Sequence, residues 1–158
     1  RDEGPWHQEV HQFGLNYRLP DVLAALGESQ IRRLAEFKLT RQRIKDTYDQ
    51  YLQHRSEFLL PTQRDDVDPV WHLYPLRVPV MERRRIFDFL RRMGIGVQVN
   101  YLPAYWHPVF TNLGYRRGIC PNAEEFYRRE ISLPNYSGLR DHEQEHVIST
   151  LLTAVNDR

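Results

Sequence analysis

Pro20 is the position that most restricts what this chain can build. Its ring fixes φ and removes an amide donor, which suits the first turn of a helix, where that donor has no partner. Leu19 before it is pushed towards an extended conformation. A polar hinge, Asn16-Tyr17-Arg18, therefore runs straight into a helix expected over residues 20–34, with Val22, Leu23, Leu26, Ile31 and Leu34 on its apolar side. Gly27 permits another backbone to approach that helix closely. The free amide donors and positive dipole end of the new helix stand beside an Asn and an Arg, which makes the hinge a candidate anion site. Asn offers amide donors to a phosphate, Arg a fork for phosphate or carboxylate, and Tyr a ring and a hydroxyl. Plain helix capping is the competing structural reading.

The rest of the chain bounds the setting of that hinge. Its 158 residues suit one ordinary domain that buries roughly two-thirds of its unfolded surface. No apolar run approaches the ~18–20 residues of a membrane span, and nothing reads as a signal peptide. The single cysteine, Cys120, has no internal partner, so a reducing cytoplasm is expected. The 22 basic side chains are nearly cancelled by 21 acidic ones, which argues against a global field for nucleic acid. Only Lys38 and Lys45 among the basic residues are lysines. The chain opens at Arg1 without a methionine, and a fragment of a longer protein is expected.

Along the chain, residues 1–15 read as a polar lead-in with scattered aromatics. A second helical stretch is expected over 37–52, with one long, bent helix through both as the alternative. After an acidic loop over 61–69, Leu76, Val78 and Val80 alternate with Arg77 and Pro79, as in a strand over 71–80. Pro75 and Pro79 argue that it lies at an edge or an end. An amphipathic helix over 83–93 is closed by Gly94. Ile95, Val97, Val99 and Tyr101 then alternate with polar residues or glycine as a second strand. An aromatic loop over 103–118 precedes a helix over 121–129, a short strand over 131–133, and a last helix from near Leu139. The expected fold is α+β, with a small antiparallel or mixed sheet flanked by helices.

Four patterns compete for the chemistry. His142-Glu143-Gln144-Glu145-His146 satisfies the zinc-hydrolase pattern H-E-x-x-H. At ~100° per residue, however, both histidines fall about 150° from the centre of the apolar face formed by Val147, Ile148, Leu151, Leu152 and Val155. They are expected on the solvent side, so a zinc site is rejected. Cys120 has no adjacent base, and His7 with His11, four apart, lacks a third ligand; both are read as structural. The arginines at 83–85, 91 and 92 are read as the solvated face of a helix.

Residues 14–31, Gly-Leu-Asn-Tyr-Arg-Leu-Pro-Asp-Val-Leu-Ala-Ala-Leu-Gly-Glu-Ser-Gln-Ile, resemble the G-[YF]-N-x-R-x-x-[DE]-[IL]-x-A-A-x-G-x-x-Q-[IL] signature of the DegT-type (DegT/DnrJ/StrS) nucleotide-sugar aminotransferases. Three further segments follow in the family's order: His72-Leu73-Tyr74, then 94–103 (Gly-Ile-Gly-Val-Gln-Val-Asn-Tyr-Leu-Pro), then 123–134, which ends Ile-Ser-Leu-Pro. The resemblance spans nearly all of the chain and is nearest the branch of pseudaminic acid synthesis (PseC-like).

The resemblance implies a type I aminotransferase fold that uses pyridoxal 5'-phosphate. Such an enzyme moves an amino group, usually from glutamate, to the ketone of a UDP-linked 4-keto-6-deoxy sugar. It implies that residues 1–34 are the tail of a large domain with the hinge and connecting helix, and that 35–158 form the C-terminal small domain. Neither lysine here stands in the context of the family's Schiff-base lysine, so that lysine is expected upstream and the chain alone is expected to be inactive. In the family the hinge Asn reaches the cofactor phosphate of a neighbouring subunit, which implies Asn16 here. Tyr17 and Arg18 would face the nucleotide sugar at the same seam of a homodimer. Tyr101 matches the aromatic of the strand-and-loop motif, and His107 a histidine just beyond it; both are implied substrate contacts. Relatives often carry histidine where this chain has Asn100 and Tyr105. The alternative is a non-catalytic assembly or regulatory module derived from the same fold. A helix that has lost its neighbour would leave an apolar patch bare, so self-association is expected.

Overall fold

A computed structural model of the chain describes residues 3–14 and 19–156. Asn16, Tyr17 and Arg18 lie outside the described residues. Six α-helices and one two-stranded sheet are present among the described residues: α1 (Asp21–Ile31), α2 (Leu34–Leu52), β1 (Tyr74–Arg77), α3 (Arg83–Arg92), α4 (Pro108–Thr111), α5 (Pro121–Arg129), β2 (Glu130–Leu133) and α6 (Asp141–Asn156), with a 3₁₀ turn at Ala104–Trp106. The α+β class expected from the sequence is the class observed.

The strands pair antiparallel, with Tyr74 opposite Leu133 and Arg77 opposite Glu130. Hydrogen bonds alternate in direction along β1. Val78 donates its N–H to Arg129 on the β2 side, while Arg77 exchanges bonds with Leu59 on the other. Pro75 and Pro79 share the side of Arg77, so their missing donors face away from β2 and cost the main pairing nothing. β2 is buried along its whole length and is the inner strand. On its far side Ser132 exchanges bonds with Gln98.

That bridge corrects the strand expected over 95–101. Ile95, Val97 and Val99 are buried and the residues between them are not, as the alternation demands. Yet Gln98 makes the single bridge, and no ladder forms. Val97 turns its N–H back onto the Ile95 carbonyl, and the N–H of Asn100 goes to the side chain of Glu130 rather than to a backbone oxygen. The other strand is shorter than expected but keeps its alternate burial.

The first two helical stretches are separate helices, not one bent helix. Arg33 takes φ −100° and ψ 2°, outside the helical well, and donates to the Gln30 carbonyl three residues back. The aromatic loop also has structure of its own. Pro103 opens the 3₁₀ turn, and Pro108 sits at the first position of α4.

The core gathers Ile44, Tyr48 and Leu52 of α2, Ile86, Phe87 and Leu90 of α3, and Val147, Ile148, Leu151 and Ala154 of α6 against Tyr74, Leu76, Ile131 and Leu133 of the sheet. The lead-in contributes to it, contrary to expectation. Trp6 is buried with its ring edge-on to Phe87 at 4.6 Å, and its indole N–H donates to the Tyr127 hydroxyl at 3.2 Å. Arg83, expected in solvent, stacks on the rings of Trp6 (4.7 Å) and Tyr127 (5.0 Å) and donates to the Tyr127 carbonyl. Burial pulls the pKa of this guanidinium down, against the raising effect of Tyr127. Arg84 and Arg85 pair with Asp88 and Glu82 at the helix surface. α1 has no buried residue: Val22, Leu23, Leu26 and Ile31 are all exposed, as is Leu34 at the start of α2, and no described residue outside α1 lies within 4 Å of where a Gly27 side chain would stand.

Candidate functional site

Two of the residues assigned by resemblance meet in one cavity. A recess of about 260 Å³ lies between the lead-in and the segment after Gln98, and Tyr101 and His107 both line it, with His7 and Glu9 opposite. The segments are joined by backbone: Val109 donates to the Val10 carbonyl at 3.0 Å. The Val10 N–H in turn donates to His107 Nδ1 at 3.2 Å. A neutral His107 accepting at Nδ1 carries its proton on Nε2 and keeps that atom as a donor. Tyr101 is 70% exposed, so its ring and hydroxyl stand at the mouth of the recess. The peptide bond before it, Asn100–Tyr101, is cis.

His7 and Glu9 are additions that the sequence did not single out for this recess. Glu9 joins His7 (3.1 Å) and His11 (3.0 Å) and, led by the His7 hydrogen bond, is held below the usual carboxylate range. Spacing alone could not place them here, because the anchor is the single Trp6 and the contact spans about a hundred residues.

The two positions where relatives often carry histidine are turned to other work. Asn100 donates from its side chain to Ser132 Oγ at 3.0 Å. Tyr105 donates to Glu124 Oε1 at 2.5 Å, and the same carboxylate oxygen accepts the Gly118 N–H at 2.5 Å. Tyr105 thereby ties the 3₁₀ turn to α5 and is not in the recess.

A larger cleft of about 510 Å³ runs between Gly94 and α6 and includes His142, Glu143 and His146. Both histidines are exposed, as the helical phase requires. Glu143 reaches back to accept the Arg140 backbone N–H (2.9 Å) and guanidinium (2.6 Å), as the third helical residue does when it closes a helix start. Those bonds hold its carboxyl at about 2, too acidic to act as a base. Among the described residues no three His, Cys, Asp or Glu side chains converge as metal ligands. Cys120 is exposed at the start of α5.

The lysines do not suit a covalent cofactor link. Lys38 pairs with Asp68; Lys45 pairs with Asp49 at 2.6 Å and lies over the Trp71 ring at 5.4 Å. Neither lines the recess that holds Tyr101 and His107.

The architecture is that of aminotransferases. It matches a solved structure of Helicobacter pylori PseC, an aminotransferase involved in the biosynthesis of pseudoaminic acid, with a TM-score of 0.81 at 26% identity over 99% of this chain and 43% of that one. Spr1654 of Streptococcus pneumoniae, assigned as a sugar aminotransferase and solved in a PMP form, gives 0.79 at 31% identity over 86% of this chain and 35% of that one. The profile of the DegT/DnrJ/EryC1/StrS aminotransferase family matches residues 1–152, and the chain belongs to that family. Among its relatives is a Campylobacter jejuni UDP-4-amino-4,6-dideoxy-N-acetyl-beta-L-altrosamine transaminase, 32% identical over 94% of this chain and 40% of the relative. The chain thus spans about two-fifths of the length of such relatives. No helix among the described residues is long and apolar enough to cross a membrane.

Proposed function

We propose that this chain is the C-terminal part of a pyridoxal-phosphate-dependent aminotransferase of the cytoplasm. The enzyme would transfer an amino group from glutamate to the ketone of a nucleotide-linked 4-keto-6-deoxy sugar, in the making of a cell-surface polysaccharide or pseudaminic acid-type sugar. The observation that carries this reading is the family match over residues 1–152, in company with relatives named as sugar transaminases.

In this reading residues 1–34 are the tail of the large domain and the connecting segment, and 35–158 are the small domain. Asn16 donates its side-chain amide to the cofactor phosphate of a neighbouring subunit in a homodimer, with Tyr17 and Arg18 beside it on the nucleotide sugar. Tyr101 and His107 offer a hydroxyl and an Nε2–H donor to the sugar from the recess. The cofactor, when bound, supplies the electron sink, and the protein orients it. The lysine that holds it covalently comes from outside these 158 residues.

The test is to assay the full-length protein, and this chain mixed with the lysine-bearing part, on a UDP-4-keto-6-deoxy sugar with glutamate. Amino sugar and 2-oxoglutarate should form in equal amounts. A full-length protein that forms neither overturns the proposal. The inward-turned side chains of Asn100 and Tyr105 favour a second reading, a non-catalytic module on the same scaffold. A coding sequence without a lysine-bearing large domain upstream would select it.

A further inference from the structure

We propose that Glu130 is a positioning residue: its buried side chain replaces a backbone rung of the sheet at Asn100 and so sets where Tyr101 stands over the substrate recess. The inference rests on the proposed function for what occupies the recess, and on geometry for the rest. In the register set by the Gln98–Ser132 bridge, the next hydrogen-bonded rung would join Asn100 to Glu130 through their backbones. Instead the Asn100 N–H donates to Glu130 Oε2 at 2.6 Å. A backbone rung would draw Asn100 against β2 and carry a strand on through Tyr101. The carboxylate holds the chain one side-chain length further off, which ends the pairing and frees Tyr101 to stand exposed at the recess.

The arrangement is closed on itself. Glu130 is fully buried, and its second oxygen accepts the Ser132 hydroxyl, whose oxygen accepts from the Asn100 side chain at 3.0 Å. Both carboxylate oxygens are thus used: two bonds tie Asn100 to β2, and the Ser132–Glu130 bond within β2 holds their acceptors in place. Arg83 of α3 is the charged group whose field bears on the carboxylate. An apolar side chain at 130 would pack β2 at lower cost in desolvation but would leave the Asn100 N–H without an acceptor.

The test compares Glu130→Ala and Glu130→Gln with wild type in the full-length protein. Hydrogen exchange at the Asn100 amide should speed at least tenfold in Glu130→Ala and stay near wild type in Glu130→Gln, whose carbonyl can still accept. In the half-reaction with nucleotide keto sugar, KM should rise about tenfold in Glu130→Ala, about what one lost hydrogen bond supplies, with kcat little changed. Glu130→Gln should restore it to within about threefold, and the half-reaction with glutamate should be unchanged in both. Where Glu130→Ala does not fold, Glu130→Leu, which keeps the bulk without an acceptor, is read instead. Unchanged exchange at the Asn100 amide overturns the positioning role. Altered exchange with unchanged sugar kinetics, or equal losses in both half-reactions, overturns the link to substrate. A wild type that transaminates no nucleotide sugar counts against the proposed function, while the exchange comparison still decides what Glu130 holds.

Discussion

Glu130 has a measurable signature apart from any reaction. Burial pushes its carboxyl up to about 7, against the opposing pull of Ser132, the Asn100 N–H and Arg83. The folded protein therefore holds this proton more tightly than the unfolded chain, whose carboxyl titrates near 4.5. The group's contribution to stability is fully present below about pH 4.5 and is lost as pH rises through about 7. Glu130→Gln has no proton to lose. It should gain on wild type between pH 5 and pH 8, by up to about 3 kcal/mol, in urea unfolding at the two pH values. A difference between the two proteins that does not change with pH would refute this. Nothing in the local pattern announced the residue, because a glutamate at the start of a strand reads as solvent-facing until its partner segment is known. Trp6 and Arg83 were hidden for the same reason: each is defined by a contact made across the fold.

Individual elements were more legible, because period and punctuation act locally. Pro121 starts a helix, Gly94 with φ +79° closes α3, and the apolar faces of α3 and α6 are buried as their spacing demands, with Ile44, Tyr48 and Leu52 of α2, although Tyr51 on the same helix is exposed. The segment over 95–101 shows the boundary of that method. Alternation correctly sorted its side chains into buried and exposed, but hydrogen-bond partners come from elsewhere in the chain. α1 is the reverse case, with an apolar face that no described residue buries. Leu23, Leu26 and Ile31 are 50%, 57% and 71% exposed. This chain should self-associate through α1, and Leu26→Glu should shift it to the monomer in sedimentation equilibrium. A wild type that stays monomeric at millimolar concentration would contradict it.

At the scale of the whole molecule, the recess is assembled from two stretches far apart in sequence, His7–Glu9 and the segment that carries Asn100, Tyr101 and His107. The family resemblance supplied Tyr101 and His107, and only the fold could put the lead-in across from them. The hinge over 16–18 enters through the proposal. In the full-length protein Asn16→Ala should weaken pyridoxal phosphate retention about tenfold, as expected for losing a hydrogen bond to a charged group. Equilibrium dialysis of the cofactor against wild type measures it, and equal retention would remove Asn16 from the site.

The placing of both lysines on α2 gives the molecule a built-in reporter. A lysine-specific protease finds its two cut sites, after Lys38 and Lys45, inside that one helix, and each ammonium is already engaged by a carboxylate. While α2 stays wound the chain should resist digestion, since a protease needs an extended segment of backbone. The first cleavage then times the unravelling of the helix that links α1 to the core, read on a gel without any probe attached.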